Sequence, residues 1–353
     1  MKDTIFIKAG RVEIQEVAKP EIQADDDVII RVLMACVCGS DLWAYRGLDD
    51  KTTNSQNGGH EAIGIVEATG SAIDTVKAGD FVIAPFDHGC GHCAACLAGY
   101  EGSCLSHSDN YSSGNQAEYI RYQHGNWALV KIPGQPADYT AGMIKSFLTL
   151  ADVMPTGYHG ARTARVGKGD TAVVIGDGAV GLCGVIAAKM RGARRIIAMS
   201  RHEDRQKLAL AFGATDIIAQ RGDEAIQQVM SMTNGAGADA VLECVGTEES
   251  TATAFAIARP GATVGRVGLP HGKDQNLATT FRRNVSIAGG PASVTTYDKK
   301  ILLQAVLNGE INPGKVFTQS FALADINSAY QAMVKREAIK SAVIVSPTEL
   351  PVM

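Results

Sequence analysis

The sequence predicts a two-domain α/β chain, an irregular β-rich domain joined to a doubly wound parallel sheet flanked by helices. Three observations predict it. At 353 residues the chain exceeds what one ordinary core holds. Its first 150 residues carry short β-like runs separated by turn signals. From Thr171 onward, apolar strands alternate with helical patterns, as a parallel sheet with crossover helices requires.

In the first part, the strand-like runs are 28–33, 62–66 and 81–84, broken by Gly79-Asp80 and by glycines at 58–59 and 89–91. After Pro155 the texture changes. Strands are expected at 171–175, 195–200, 216–219, 240–244, 263–267 and 285–288, with helices at 180–191, 205–212, 223–232 and 251–258. Beyond about residue 293 a helical stretch, 325–336, precedes one more strand, 341–345. That tail is too short for its own core and is expected to return to the first domain. The expected division is therefore 1–154 completed by 297–353, with 155–296 between them.

Composition bounds the partners. With 46% hydrophobic and 20% charged residues the chain reads as globular. A net charge of −4 argues against nucleic acid or a membrane surface. Arg194, Arg195 and Arg201 do cluster, but locally, and a phosphate-bearing cofactor accounts for them. The apolar stretch 172–190 contains Asp177 and four glycines and runs to Lys189, so it is not read as a membrane span. The N-terminal residues show no secretory h-region, and a cytoplasmic location is expected.

Of eight cysteines, Cys90, Cys93, Cys96 and Cys104 form C-x2-C-x2-C-x7-C. Four thiolates on a short Gly-rich loop match the tetrahedral demand of a structural zinc ion. An iron–sulfur cluster is the sharper rival, but the last gap and the missing Pro depart from the bacterial ferredoxin run. His92 lies inside the loop as a bystander, because four sulfurs already fill a tetrahedron.

Val173-Val174-Ile175 runs directly into Gly176-Asp177-Gly178-Ala179-Val180-Gly181, a G-x-G-x-x-G between a strand and a helix. Gly176 permits the tight turn, Gly178 lets backbone approach a pyrophosphate, and Gly181 lets helix close on strand. The helix start, Ala179 and Val180, offers free N–H groups to phosphate. A flavin could use the same turn. An NAD site carries an acid at the end of the second strand, yet no acid occurs between Gly181 and His202. Ser200 and Arg201 stand there instead, and a hydroxyl with a guanidinium suits the 2′-phosphate of NADP. NADP is therefore expected over NAD.

Cys38, His60 and Asp152 are far apart, and singly each has a structural reading: Cys38, for example, sits in an apolar run. Their order changes that reading: Cys38-Gly39-Ser40-Asp41, then Gly58-Gly59-His60-Glu61, the cysteine loop, and the dinucleotide turn. With that ordered set the chain resembles, across essentially its full length, the zinc-containing medium-chain dehydrogenase/reductase family, in particular its NADP-dependent bacterial and archaeal secondary alcohol dehydrogenases. The resemblance implies a GroES-like first domain, a Rossmann cofactor domain, and a C-terminal tail that rejoins the first. It implies two zinc ions per chain. Cys38, His60 and Asp152 match the catalytic ligands, with Glu61 as the glutamate that approaches the metal. Ser40 matches the hydroxyl that bonds the substrate oxygen and passes its proton outward; a turn-capping serine is the plainer reading. One departure is Trp43, where thermophilic relatives have a relay histidine; Trp43 is either a pocket wall or, like Tyr111, a packing aromatic.

The implied reaction is hydride transfer between NADP(H) and a small, secondary alcohol or its carbonyl partner. A polyol or amino-alcohol dehydrogenase of the same family is the alternative enzyme, and a catalytically silent zinc- and nucleotide-binding protein the alternative from another class. A homodimer or homotetramer is the oligomer the resemblance implies.

Overall fold

Val28–Cys36 is apolar at every position except Arg31, and all its residues but Arg31 are buried. It takes the centre of a seven-stranded sheet, antiparallel to Ala62–Thr69 on one side and Lys340–Ile344 on the other, with Tyr119–Tyr122 along its first half. A strand enclosed in this way has no place for the polar alternation of a half-exposed one. The computed structural model describes residues 1–48, 58–106, 111–271, 278–292 and 295–352. It divides into two units, Met1–Asp152 with Ser293–Met353, and Val153–Ala292.

In the first unit the C-terminal segment supplies two strands. Lys340–Ile344 sets Ala342 opposite Cys36 and Val343 opposite Ala35, and Phe317–Ala322 runs parallel beside it. The intervening helix, Ile326–Val334, drops Tyr330 into the core. There Tyr330 stacks on Tyr45 at 5.0 Å and meets Phe6 edge-on at 5.6 Å. Burial of such a ring is worth about 1.5–3 kcal/mol, so the tail is integral to this core.

The second unit is a six-stranded, all-parallel sheet. Its strands lie in the order Asp216–Ile218, Arg195–Met199, Thr171–Ile175, Ala238–Glu243, Ala258–Arg266, Ser286–Gly289. The order turns back between Thr171–Ile175 and Ala238–Glu243, the first and fourth strands of this unit, which is the switch point where dinucleotide folds open a crevice. The fold class is the one expected. Boundaries moved by a few residues: the helix expected at 251–258 is Glu248–Ile257, and the strand expected from 263 starts at Ala258. A box at Thr247 explains the first shift, since Thr247 Oγ1 accepts from Ser250 N.

Among the described residues, three helices of nine or more residues lie outside the expectation. Val153–Thr163 contains Pro155, Gly157 and Gly160, a poor helical composition. Packing overrides propensity there: a Cβ on Gly157 would come within 2.6 Å of Gly184 N, so the glycine lets two backbones meet. Ala141–Thr149 is capped by Thr140, whose Oγ1 accepts from Met143 N. Thr296–Leu307 buries a lysine, Lys299, on its inner face, which breaks the apolar periodicity by which a helix is recognised. Among the described residues no helix is long and apolar enough to cross a membrane.

Candidate metal centres and cofactor turn

The first unit gathers Cys38, His60, Glu61 and Asp152, with one ligand atom of each within 4.8 Å of the others. Cys38 follows the central strand, His60 and Glu61 precede its neighbour Ala62–Thr69, and Asp152 follows the helix Ala141–Thr149. Cys38 Sγ lies 3.3 Å from Asp152 Oδ2, and His60 Nε2 lies 3.4 Å from the same oxygen. His60 Nε2 is 3.9 Å from Glu61 Oε1. Donors bound tetrahedrally to zinc stand about 3.3–3.8 Å from one another, so the three ligand atoms and their S, N and O chemistry fit that ion.

Neighbouring residues set this geometry. Asp41 Oδ2 accepts from Cys38 N at 2.8 Å, and Asp41 Oδ1 lies 3.4 Å from His60 Nδ1, so Nε2 is the nitrogen left for a metal. Gln116 braces both ligand segments: its Nε2 donates to Cys36 O at 2.9 Å, and its side chain packs so closely that a Cβ on Gly58 or Gly59 would meet it at 2.6 Å. Glu61 is fully buried; Oε1 accepts from Lys340 Nζ at 2.7 Å, whereas Oε2 has no hydrogen-bond partner. An orphaned carboxylate oxygen beside three donors is where a cation is accommodated.

The local field favours positive charge. Burial works against the His60 imidazolium, but Asp41 and Asp152 outweigh it and push its pKa well above the ordinary value. Lys340 is raised in the same way by Cys36 and Glu61 against burial. Burial, then Asp152, raises the Cys38 thiol, so metal binding here displaces protons.

Cys90, Cys93, Cys96 and Cys104 form the second cluster, also within 4.8 Å. Cys93 and Cys104 Sγ are 3.9 Å apart, close to the sulfur spacing of about 3.8 Å around tetrahedral zinc. Backbone N–H groups of Cys93, Leu105 and Ser106 point at Cys90, Cys93 and Cys104 Sγ, each at 3.4 Å. Backbone donors at Cys96 and Leu105 bring the Cys93 thiol down to about 6, so it is readily available as thiolate. None of the four is in a disulfide. His92 is exposed, with Nδ1 at 2.9 Å from Cys90 O.

In the second unit, Gly176 has φ +112°, and Gly178 has no atom within 4 Å of where a Cβ would stand, leaving room for a pyrophosphate. A Cβ on Gly181 would collide with Gly176 O, so helix Ala179–Met190, which carries Ala179 and Val180 in its first turn, closes on the turn. Ser200, just past Arg195–Met199, is buried and donates Oγ to Asp177 Oδ2 at 2.8 Å. Arg205 Nη1 contacts Asp177 Oδ1 at 3.2 Å; Arg201 is exposed.

Ser40 is exposed at the start of helix Asp41–Tyr45, and its hydroxyl makes no capping bond. Trp43 is half-buried in that helix, and Tyr111 stacks on Phe86, itself edge-on to His60 at 5.9 Å. Asp41, Gln116, Lys340, Asp177 and Arg205 were not singled out as site residues from the sequence. Asp177 lies inside the glycine motif and Asp41 inside the Cys38-Gly39-Ser40-Asp41 run, but neither was given a role there; Gln116, Lys340 and Arg205 carry no local pattern.

Comparison with known proteins identifies the family and the fold. Residues 24–134 match the alcohol dehydrogenase GroES-like domain family, and residues 179–304 the zinc-binding dehydrogenase family. An uncharacterized zinc-type alcohol dehydrogenase-like protein of Bacillus subtilis (strain 168) is 30% identical over 94% of this chain and 96% of its own. A zinc-type alcohol dehydrogenase of Aspergillus flavus is 33% identical over 77% of this chain, which spans 64% of that protein's length. Among solved structures, an alcohol dehydrogenase from Thermus sp. ATN1 superposes with TM-score 0.87 at 29% identity, covering 98% of this chain and all of that one.

Proposed function

The chain belongs to the zinc-dependent alcohol dehydrogenase family of medium-chain dehydrogenases, and from that premise we propose that it transfers a hydride between NADP(H) and a small secondary alcohol or its carbonyl partner. The observation that carries the reading is the convergence of Cys38 Sγ and His60 Nε2 on Asp152 Oδ2, at 3.3 and 3.4 Å, with a Glu61 oxygen within 4.8 Å of all three. Zinc held there supplies Lewis acidity toward the substrate oxygen, and the nicotinamide supplies or accepts the hydride.

The chain's own residues do the rest. Cys38 and Asp152 bring negative charge and His60 a neutral donor, a set that holds three positions and leaves one for substrate. Asp41 fixes the His60 tautomer. Ser40, two residues beyond Cys38, offers a hydroxyl that makes no capping bond; it would accept a hydrogen bond from an alcohol and relay that proton outward to solvent as it gives up its own. Cys90, Cys93, Cys96 and Cys104 hold a structural zinc. Ser200 and Arg201 receive the 2′-phosphate, and Gly176, Gly178 and Gly181, with Ala179 and Val180, the pyrophosphate.

The test is NADPH oxidation, followed by its absorbance, against a panel of small ketones, aldehydes and polyol-derived carbonyls. Turnover fastest with simple ketones supports the proposal. Turnover confined to the polyol-derived compounds would select the polyol reading, and no turnover with any of them would remove the catalytic one.

A further inference from the structure

We propose that Asp177, the second residue of the glycine-rich turn, is a specificity-determining residue for the adenosine ribose, and that Arg205 is its counterpart for a 2′-phosphate. The proposal deepens the NADP(H) reading and rests on it for the identity of the ligand.

In sequence, the second strand of the crossover ends without an acid. In space an acid is there. Asp177 reaches over from the turn and its Oδ2 accepts from Ser200 Oγ at 2.8 Å, so a carboxylate occupies the end of Arg195–Met199. Arg205, in helix Glu203–Phe212, donates Nη1 to Asp177 Oδ1 at 3.2 Å and to Asp177 O at 3.3 Å. Gln206, the next residue, donates to Ser200 O at 2.8 Å. The side chains of Asp177 and Arg205 remain 18% and 12% exposed, so both can be reached by a ligand. A hydroxyl, a carboxylate and a guanidinium thus meet where the ribose 2′-position of a dinucleotide is bound in this fold.

The two cofactors meet this trio differently. A free 2′-hydroxyl donates to the Asp177 carboxylate. A 2′-phosphate, carrying close to two negative charges, is repelled by it. The phosphate is held by Ser200, Arg201 and Arg205, the last released from Asp177 when the phosphate takes its place. Asp177 therefore moderates the preference for NADP(H), and Arg205 strengthens it. An acid that merely held the turn in shape would affect both cofactors equally.

The experiment titrates the full chain calorimetrically with 2′,5′-ADP and 5′-AMP at constant ionic strength, for the wild type, Asp177→Asn and Arg205→Gln. These fragments read the adenosine site without catalysis. Asp177→Asn is expected to raise the affinity ratio in favour of 2′,5′-ADP by about tenfold, and Arg205→Gln to lower it by about tenfold, as charge-assisted contacts of this kind predict. Arg205→Gln decides the matter if Asp177→Asn does not fold. A wild-type preference for 5′-AMP overturns the NADP(H) reading alone. A ratio unmoved in folded variants overturns the assignment of Asp177 and Arg205, whichever fragment the wild type prefers.

Discussion

Lys340 Nζ lies 2.7 Å from Glu61 Oε1, with both side chains buried, so strand Lys340–Ile344 places a cation against the carboxylate that neighbours Cys38, His60 and Asp152. Lys340 also donates to Val37 O at 3.2 Å, next to Cys38 in the chain. Removing one member of a buried pair leaves the other charge uncompensated, which costs about 3–5 kcal/mol. Lys340→Met is therefore expected to lower the unfolding free energy by that amount in urea, and Lys340→Met with Glu61→Gln to recover much of it. A single variant as stable as the wild type would show that the pair carries no such weight.

Two zinc ions per chain are expected, one per cluster. Metal analysis of protein purified without added metal should return about two, and Cys104→Ala about one, with a lowered thermal midpoint, because structural zinc contributes folding free energy. A wild-type content near one that Cys104→Ala leaves unchanged would remove the cysteine cluster from the metal sites.

Asp152→Ala should abolish turnover and lower the metal content to about one while sparing the cysteine loop. Even residues that only orient a metal ligand cost about 10–100-fold, so loss of a ligand should cost more. Activity within threefold or so of the wild type would exclude Asp152 from the catalytic set.

Arg201 is exposed, so the proposed contact with a 2′-phosphate would be screened by salt. At low ionic strength Arg201→Ala is expected to raise the Michaelis constant for NADPH by roughly tenfold, leaving that for NADH nearly unchanged. The difference should shrink as salt is added. Equal effects on both cofactors would place the phosphate elsewhere.

The fold class, the cysteine cluster and the cofactor turn were legible because each rests on a local signal: four cysteines at short gaps, a glycine turn after a strand, and apolar strands alternating with helices; Cys38, His60 and Asp152, far apart in the chain, were joined only by the family resemblance. What escaped is what only the third dimension joins. Lys299 lies inside helix Thr296–Leu307, where it pairs with Asp87 at 3.1 Å and Glu101 at 3.3 Å, 212 and 198 residues away. Nothing in its flanking sequence distinguishes that lysine from a solvated one. Gln116 and Lys340 are of the same kind, since their partners Cys36, Tyr330, Glu61 and Val37 lie far off in the chain. Asp177 differs, because its neighbour Ser200 is 23 residues on, across one crossover, within reach of sequence reasoning about the turn.

Asp3 gives the chain a pH dependence of definite sign. It is 2% exposed, its Oδ1 has no hydrogen-bond partner, and burial raises its pKa to about 6, from an ordinary 3.8. A raised acid favours the folded state only while protonated. That contribution is complete below about pH 4, falls as pH rises toward 6, and is gone above it, because the unfolded chain gives up the proton first. The span corresponds to about 3 kcal/mol at most. Urea unfolding of the wild type and Asp3→Asn, measured from pH 4 to pH 7, should therefore show a stability difference that moves in favour of Asn as pH rises and levels off beyond pH 6. Zinc release in acid affects both proteins alike and drops out of that difference. A difference constant with pH would mean that Asp3 ionises as freely in the folded chain as in the unfolded one.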